Sequence, residues 1–279
     1  DGGTYQSAAN ATACVPCEPG AHCSPGASAA LLCDSGTYGN NATNLTSQAD
    51  CVECPEGSAC ETGAAVPTTC AAGSVSAARA SVCSRCVGGK YQPARGQPAC
   101  VACPEGSACV EGAIVPTPCA AGSYAANSGE STCTPCDGGT YQSAANATAC
   151  VPCEPGAHCS PGASAALLCD SGTYGNNATN LTSQADCVEC PEGSACETGA
   201  AVPTTCAAGS VSAARASVCS RCVGGKYQPA RGQPACVACP EGSACVEGAI
   251  VPTPCAAGSY AANSGESTCT PCDGGTYQS

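Results

Sequence analysis

Residues 33–60 read CDSGTYGNNATNLTSQADCVECPEGSAC, and this stretch decides the fold. Cys33 opens a Cys-x-x-Gly-x-Tyr segment, a polar run follows, and Cys51 closes it just before Cys54 and Cys60. Within each period of the chain, every Cys is followed three residues later by Gly or by another Cys. Gly at that offset (Gly20, Gly26, Gly36, Gly57, Gly63 and Gly73 among others) predicts a tight turn at φ > 0 beside a bridge. The exceptions, Cys14, Cys51, Cys83, Cys100 and Cys133, each begin a C-x2-C pair.

Outward from that stretch the chain repeats itself. Cys14, Cys17, Cys23 and Cys33 are spaced C-x2-C-x5-C-x9-C, and the spacing returns at Cys51, Cys54, Cys60, Cys70 and at Cys100, Cys103, Cys109, Cys119. Reduced units, Cys83-x2-Cys86 and Cys133-x2-Cys136, stand between them. Residues 1–136 recur letter for letter as 137–272, and 273–279 (DGGTYQS) begin a third copy. The expected organisation is a first period 1–136, with sub-modules near 1–33, 34–70, 71–86, 87–119 and 120–136, then the identical period 137–272. The chain begins without an initiator Met, shows no signal peptide or lipidation motif, and reads as a window on a longer periodic protein.

Composition bounds the class. The 279 residues include 32 Cys, more than one position in nine, which marks a disulfide scaffold. Val, Leu and Ile make up about 9% and Phe, Trp and Met are absent, so a conventional apolar core is excluded and covalent staples replace it. A net charge of −13 gives no footprint for nucleic acid, and no apolar run reaches the length of a membrane-spanning helix.

Five segments per period follow one template, Cys-x-x-Gly-x-Tyr to a later Cys, with Tyr38, Tyr91, Tyr124 and Tyr141 at the aromatic position and Val75 once. If each closes on itself, the other cysteines pair as short loops. The first period then contains Cys17–Cys23, Cys33–Cys51, Cys54–Cys60, Cys70–Cys83, Cys86–Cys100, Cys103–Cys109, Cys119–Cys133 and Cys136–Cys150. The second contains Cys153–Cys159, Cys169–Cys187, Cys190–Cys196, Cys206–Cys219, Cys222–Cys236, Cys239–Cys245 and Cys255–Cys269. Cys14 and Cys272 are left for bridges to neighbouring copies. Each loop of about 15 residues contributes on the order of 3 kcal/mol in the chain-entropy model. The expected fold is small and disulfide-rich, an elongated tandem array with short two-stranded β ribbons at the Tyr positions, turns elsewhere and almost no helix. The Ala-rich runs at 7–14 and 76–83 are too short to nucleate one.

The units CDSGTY…C-x-x-C-P-E-G and CVGGKY…C-x-x-C-P-E-G resemble the ephrin-receptor-like cysteine-rich repeat, an extracellular module of receptors and of long surface proteins of algae and protists. The Cys-x-x-Gly-x-Tyr loop is also similar to the first half of a tumour-necrosis-factor-receptor module. The resemblance implies a β-poor string of modules, each touching mainly its neighbours. These copies are identical, however, whereas receptor modules diverge. Identical surfaces at regular intervals suit self-assembly, and open-ended repetition of one contact gives a filament.

Candidate chemistry is sparse. Cys51, Cys54, Cys83 and Cys86 superficially match a four-thiolate zinc site, but Cys60 and Cys70 interrupt it. His22 and its copy His158, read as exposed turn residues, have no catalytic partner, and no G-x-S-x-G, H-E-x-x-H or phosphate-loop motif occurs. Asp50, Glu53, Glu56 and Glu61 lack calcium-loop spacing and read as solvated charge. The expectation is therefore no enzyme, no metal and no cofactor. Asn10, Asn41 and Asn44, repeated as Asn146, Asn177 and Asn180, stand in N-x-T triplets and are candidate N-glycosylation sites. Thr68, Thr69 and Thr117, beside prolines, are candidate O-glycosylation sites.

The functional expectation is an extracellular structural protein forming a glycosylated, disulfide-stapled filament or surface fibre, flagellar hairs (mastigonemes) being one such structure. Its partners would be further copies of itself and covalent glycans, with no nucleic acid and no membrane insertion in this segment. Its place would be the cell or cilium surface. The alternatives are a receptor or adhesin stalk and a protist cysteine-rich surface antigen.

Overall fold

A computed structural model describes residues 2–274; the start of a third copy therefore lies outside the described residues from 275 onward. Its contacts divide the chain into two compact units, Asp1–Thr134 with Ala144–Ala149, and Pro135–Ser143 with Cys150–Ser279.

The building block is a ribbon of two two-residue strands, and the described residues contain sixteen of them. Cys33–Thr37 shows how the sequence makes one. Thr37 N–H donates to the Asp34 carbonyl (3.0 Å) across a turn whose third residue, Gly36, has φ 83°. That is the type II position, where an L side chain is strained and Gly is not. The strand Thr37–Tyr38 then pairs antiparallel with Val52–Glu53, and Cys54 N–H returns to the Gly36 carbonyl (3.0 Å). The bridge between Cys33 and Cys51, 18 positions apart in sequence, ties the residue just before the turn to the residue just before the return strand.

The short loops are built the same way, which corrects the expectation of ribbons at the Tyr segments alone. Pro55-Glu56-Gly57-Ser58 forms the same turn, and Ser58–Ala59 pairs with Thr68–Thr69. Ala21–His22 with Leu31–Leu32, and Ser107–Ala108 with Thr117–Pro118, complete the set. In the long loops the first Cys bonds the Cys before the return strand, as Cys70 does with Cys83. In the short ones it bonds the Cys six positions on, just after the outgoing strand, as Cys54 does with Cys60. Each period therefore holds eight ribbons, five closed by long loops and three by short ones, and the ribbon is the underlying repeat. Helix is limited, among the described residues, to the single turns Gln48–Asp50 and Gln184–Asp186.

Backbone groups, not side chains, lock ribbon to ribbon within each unit. The turn glycine donates its N–H to the next ribbon: Gly36 to the Cys60 carbonyl, Gly57 to Ser76, Gly73 to Gln92 and Gly89 to Cys109, at 2.8–2.9 Å. Each loop also carries a left-handed residue, Gly63, Arg79, Gly96 or Gly112, whose N–H reaches back to Cys33, Cys54, Cys70 or Cys86 at 2.8–2.9 Å. The carbonyls of those residues cover the turn glycines of the ribbon two places earlier. A Cβ on Gly57 would strike the Gly96 carbonyl, and one on Gly36 the Arg79 carbonyl. With two residues per strand, a ribbon alone is not stable in water; these cross-links to the next ribbon and the next but one satisfy the polar backbone groups that the short strands leave.

The interior is made mostly of cystine and alanine, with a few polar side chains such as Thr37, Ser76 and Gln92 among them. The most deeply buried side chains are cysteines, with Ala21, Ala59 and Ala108 beside them. The aliphatic residues lie outside: Leu31 and Leu32 are 58% and 56% exposed, Val115 64%. Leu181, packed on Cys169, Cys187 and Ala178, is the exception. This inversion follows from size, because facing Cys-x-x-Gly turns sit backbone to backbone and leave room for little more than a sulfur or a methyl group.

Candidate functional site

The chemistry-bearing residues are arranged on the outside of this cystine ladder. Fifteen disulfides are present in the described residues. They join consecutive cysteines from Cys17–Cys23 through to Cys255–Cys269. The C-x2-C pairs that mimic a zinc site are consumed by this pattern: Cys51 is bonded to Cys33, Cys54 to Cys60, Cys83 to Cys70 and Cys86 to Cys100. Cys14 and Cys272 are free thiols, the first exposed and the second half-buried. By identity of sequence they occupy the places of Cys150 and Cys136, which are bonded to one another.

All six sequon asparagines are exposed. Asn10, Asn41, Asn146 and Asn177 sit in the left-handed region at φ 54–61°, a conformation that Asn tolerates better than most residues. Asn146 shows how one residue serves the array and stays available. Its N–H donates to the Cys119 carbonyl (2.8 Å) and its Oδ1 accepts from Ser107 Oγ (2.9 Å). Neither bond uses Nδ2, the atom that would carry a glycan. Thr68, Thr69 and Thr117 are exposed on the return strands of the short-loop ribbons.

The carboxylates do not converge. Glu53 pairs with Arg79 (3.1 Å), Glu189 with Arg215 (2.9 Å), and both pairs lie in solvent. Asp50 turns back on its own loop: its Oδ2 accepts from Thr46 Oγ1 (2.7 Å), Thr46 N–H (2.8 Å) and Ser47 N–H (2.9 Å). The Thr46 hydroxyl bond, then the two backbone N–H bonds, hold the Asp50 carboxyl below the ordinary carboxylate range, and Asp186 is held likewise. A carboxylate with a depressed native pKa stabilises the fold above its unfolded pKa of about 3.9 and ceases to do so as pH falls through the lower native value. The Thr46 and Ser47 amides should therefore be protected from hydrogen exchange at pH 6 and lose protection in strong acid. An Asp50→Ala chain should lack that protection at either pH; equal protection in both chains would refute the role. Among the described residues no group of three or more His, Cys, Asp or Glu is placed to hold a metal ion.

His22 is a correction. It is 7% exposed rather than a surface turn residue, because it lies on an inward-facing outgoing strand, and its Nδ1 is buried without a hydrogen-bond partner. Among the described residues the Tyr positions are half-buried, except Tyr260, which is exposed. Tyr227 packs on the cluster of Cys239, Cys245 and Ala249, the short-loop bridge of the following ribbon rather than its own. The turn-glycine hydrogen bonds that place it are not marked by any side chain, so sequence reading could not find this contact.

Three segments, residues 73–112, 122–166 and 209–248, match the family described as tyrosine-protein kinase ephrin type A/B receptor-like. These segments resemble ephrin-receptor-like cysteine-rich repeats, a family of receptor-ectodomain type rather than a catalytic one. Comparison with curated proteins finds no match. Such repeats, stapled by fifteen disulfides, mark an extracellular repeat protein or receptor ectodomain. No helix among the described residues is long and apolar enough to cross a membrane.

Proposed function

We propose that this chain is a length of an extracellular structural fibre, glycosylated on its exposed loops and assembled at a cell or cilium surface. The observation that carries the reading is the outward placement of Leu31, Leu32, Val110, Ile114 and Val115, repeated in the second period as Leu167, Leu168, Val246, Ile250 and Val251. Aliphatic side chains that a fold does not bury within itself, and that recur on identical modules, suit contact with other chains. Six exposed sequon asparagines supply a glycan coat between those contacts.

Electron microscopy of the native, unreduced protein tests this. The expected image is a thin fibre with an axial repeat commensurate with one sequence period and glycan density at Asn10, Asn41 and Asn44. Isolated flexible rods without lateral or end-to-end order would instead support a receptor or adhesin stalk, the reading that the family match favours.

A further inference from the structure

The charges of the chain are sorted along it. All four basic residues of a period, Arg79, Arg85, Lys90 and Arg95, fall between positions 79 and 95, and residues 62–104 contain no carboxylate. Residues 96–214 then carry ten carboxylates, from Glu105 to Glu197, and no Lys or Arg, before the basic segment returns at Arg215. The middle of the acidic stretch lies about half a period from the middle of the basic one. Because each ribbon bonds the next and the next but one, this order in sequence is kept along each unit.

The fold leaves most of the basic charge unspent. Arg79 is paired with Glu53, but among the described residues Arg85, Lys90 and Arg95 are exposed and make no ion pair, and the second unit repeats this at Arg221, Lys226 and Arg231. Arg85 shares a shallow cleft with Glu111 without pairing to it. Exposed apolar side chains accompany both charge classes: Val82 and Val87 in the basic segment, Val101, Val151, Leu167 and Leu168 in the acidic one. Apolar contacts rimmed by complementary charge are the anatomy of a protein interface.

We propose that the partner for this basic segment is a second copy of the chain. Arg85, Lys90 and Arg95 of one copy face carboxylates of the Glu105–Glu197 stretch of the other. The proposal rests on the fibre reading above and adds a pairing of charges to it. The occupant is a copy because the complementary acidic stretch is present in the chain itself, with the same period. Several identical pairings made at once reinforce one another.

The sign of the salt dependence decides. A chain of net charge −13 with evenly spread charge would associate better in high salt, where repulsion is screened. Sorted charge predicts the reverse: in sedimentation velocity the oxidised full chain assembles at about 10 mM salt and disperses at about 1 M, where the Debye length falls from about 30 Å to about 3 Å. A chain with Arg85→Glu, Lys90→Glu and Arg95→Glu, and the same changes at Arg221, Lys226 and Arg231, associates at least about 100-fold more weakly. Mixing it with a Glu105→Lys, Glu111→Lys, Glu130→Lys chain restores assembly. A non-reducing peptide map of each variant confirms that its disulfides have formed. Assembly that is as strong at about 1 M salt, or in the reversed chain, overturns this pairing and leaves the fibre reading standing. A chain with intact disulfides that stays monomeric at every salt concentration overturns both.

Discussion

Complete reduction of the disulfides is expected to unfold the chain outright, with every protected amide exchanging at the rate of an unstructured peptide. The reason lies in what remains once the bridges are gone. The buried apolar set is cysteine and alanine with Leu181 alone among the larger aliphatics, while Leu31, Leu32, Val66, Val82 and Val115 are already in solvent, so no apolar core is left to resist. Loop-closure entropy assigns about 2–3 kcal/mol to each bridge, from the six-residue separation of Cys54–Cys60 to the 18 of Cys33–Cys51. Fifteen such contributions exceed the roughly 5–15 kcal/mol net stability of ordinary domains. Hydrogen exchange followed by mass spectrometry before and after reduction at neutral pH checks this. Persistent protection of the Gly36, Gly57 and Gly73 amides in the reduced chain would show that the backbone ladder holds without cystine.

The second large effect separates turn strain from stacking. Gly57 and Gly26 both occupy the left-handed region, at φ 76° and 81°. A Cβ at Gly26 meets nothing within 4 Å, whereas one at Gly57 collides with the carbonyl of Gly96 two ribbons away. Gly26→Ala should therefore cost only the left-handed penalty of an L residue, about 1 kcal/mol. Gly57→Ala should cost about 2–4 kcal/mol, because the ribbons must part to admit the methyl group. Repeat arrays unfold piecemeal, so the readout is local exchange rather than a single melting point. Protection should fall at residues 57–60 and 96–97 in Gly57→Ala and only around residues 24–27 in Gly26→Ala. Equal effects at both sites would show that the Gly57–Gly96 approach carries no weight.

Much of the fold was legible in the spacing of two residue types. Cys-x-x-Gly announced both the bridge and the left-handed turn, and the segments from Cys33 to Cys51 and from Cys86 to Cys100 announced closed ribbons, because each of these features is settled within a single loop of chain. The short-loop ribbons were missed. Ser58–Ala59 and Thr68–Thr69 offer neither an aromatic residue nor alternating polarity, and the signal that could have found them was the shared turn, P-E-G-S standing where D-S-G-T stands. The burial of His22 was missed as well, since a Pro- and Gly-flanked histidine looks like a surface residue until its strand is known to face inward.

The sequence by itself determined the loop sizes, the turns that begin each ribbon, the placing of the N-x-T triplets and the sorting of charge along the chain. Those properties belong to side chains and to contacts close in sequence. The tertiary structure alone decided which ribbon rests on which, why Gly57 lies under Gly96, and why alanine is inside while leucine and valine are outside. Those outcomes are set by N–H and C=O groups that every residue of the backbone carries, so no side-chain pattern could announce them.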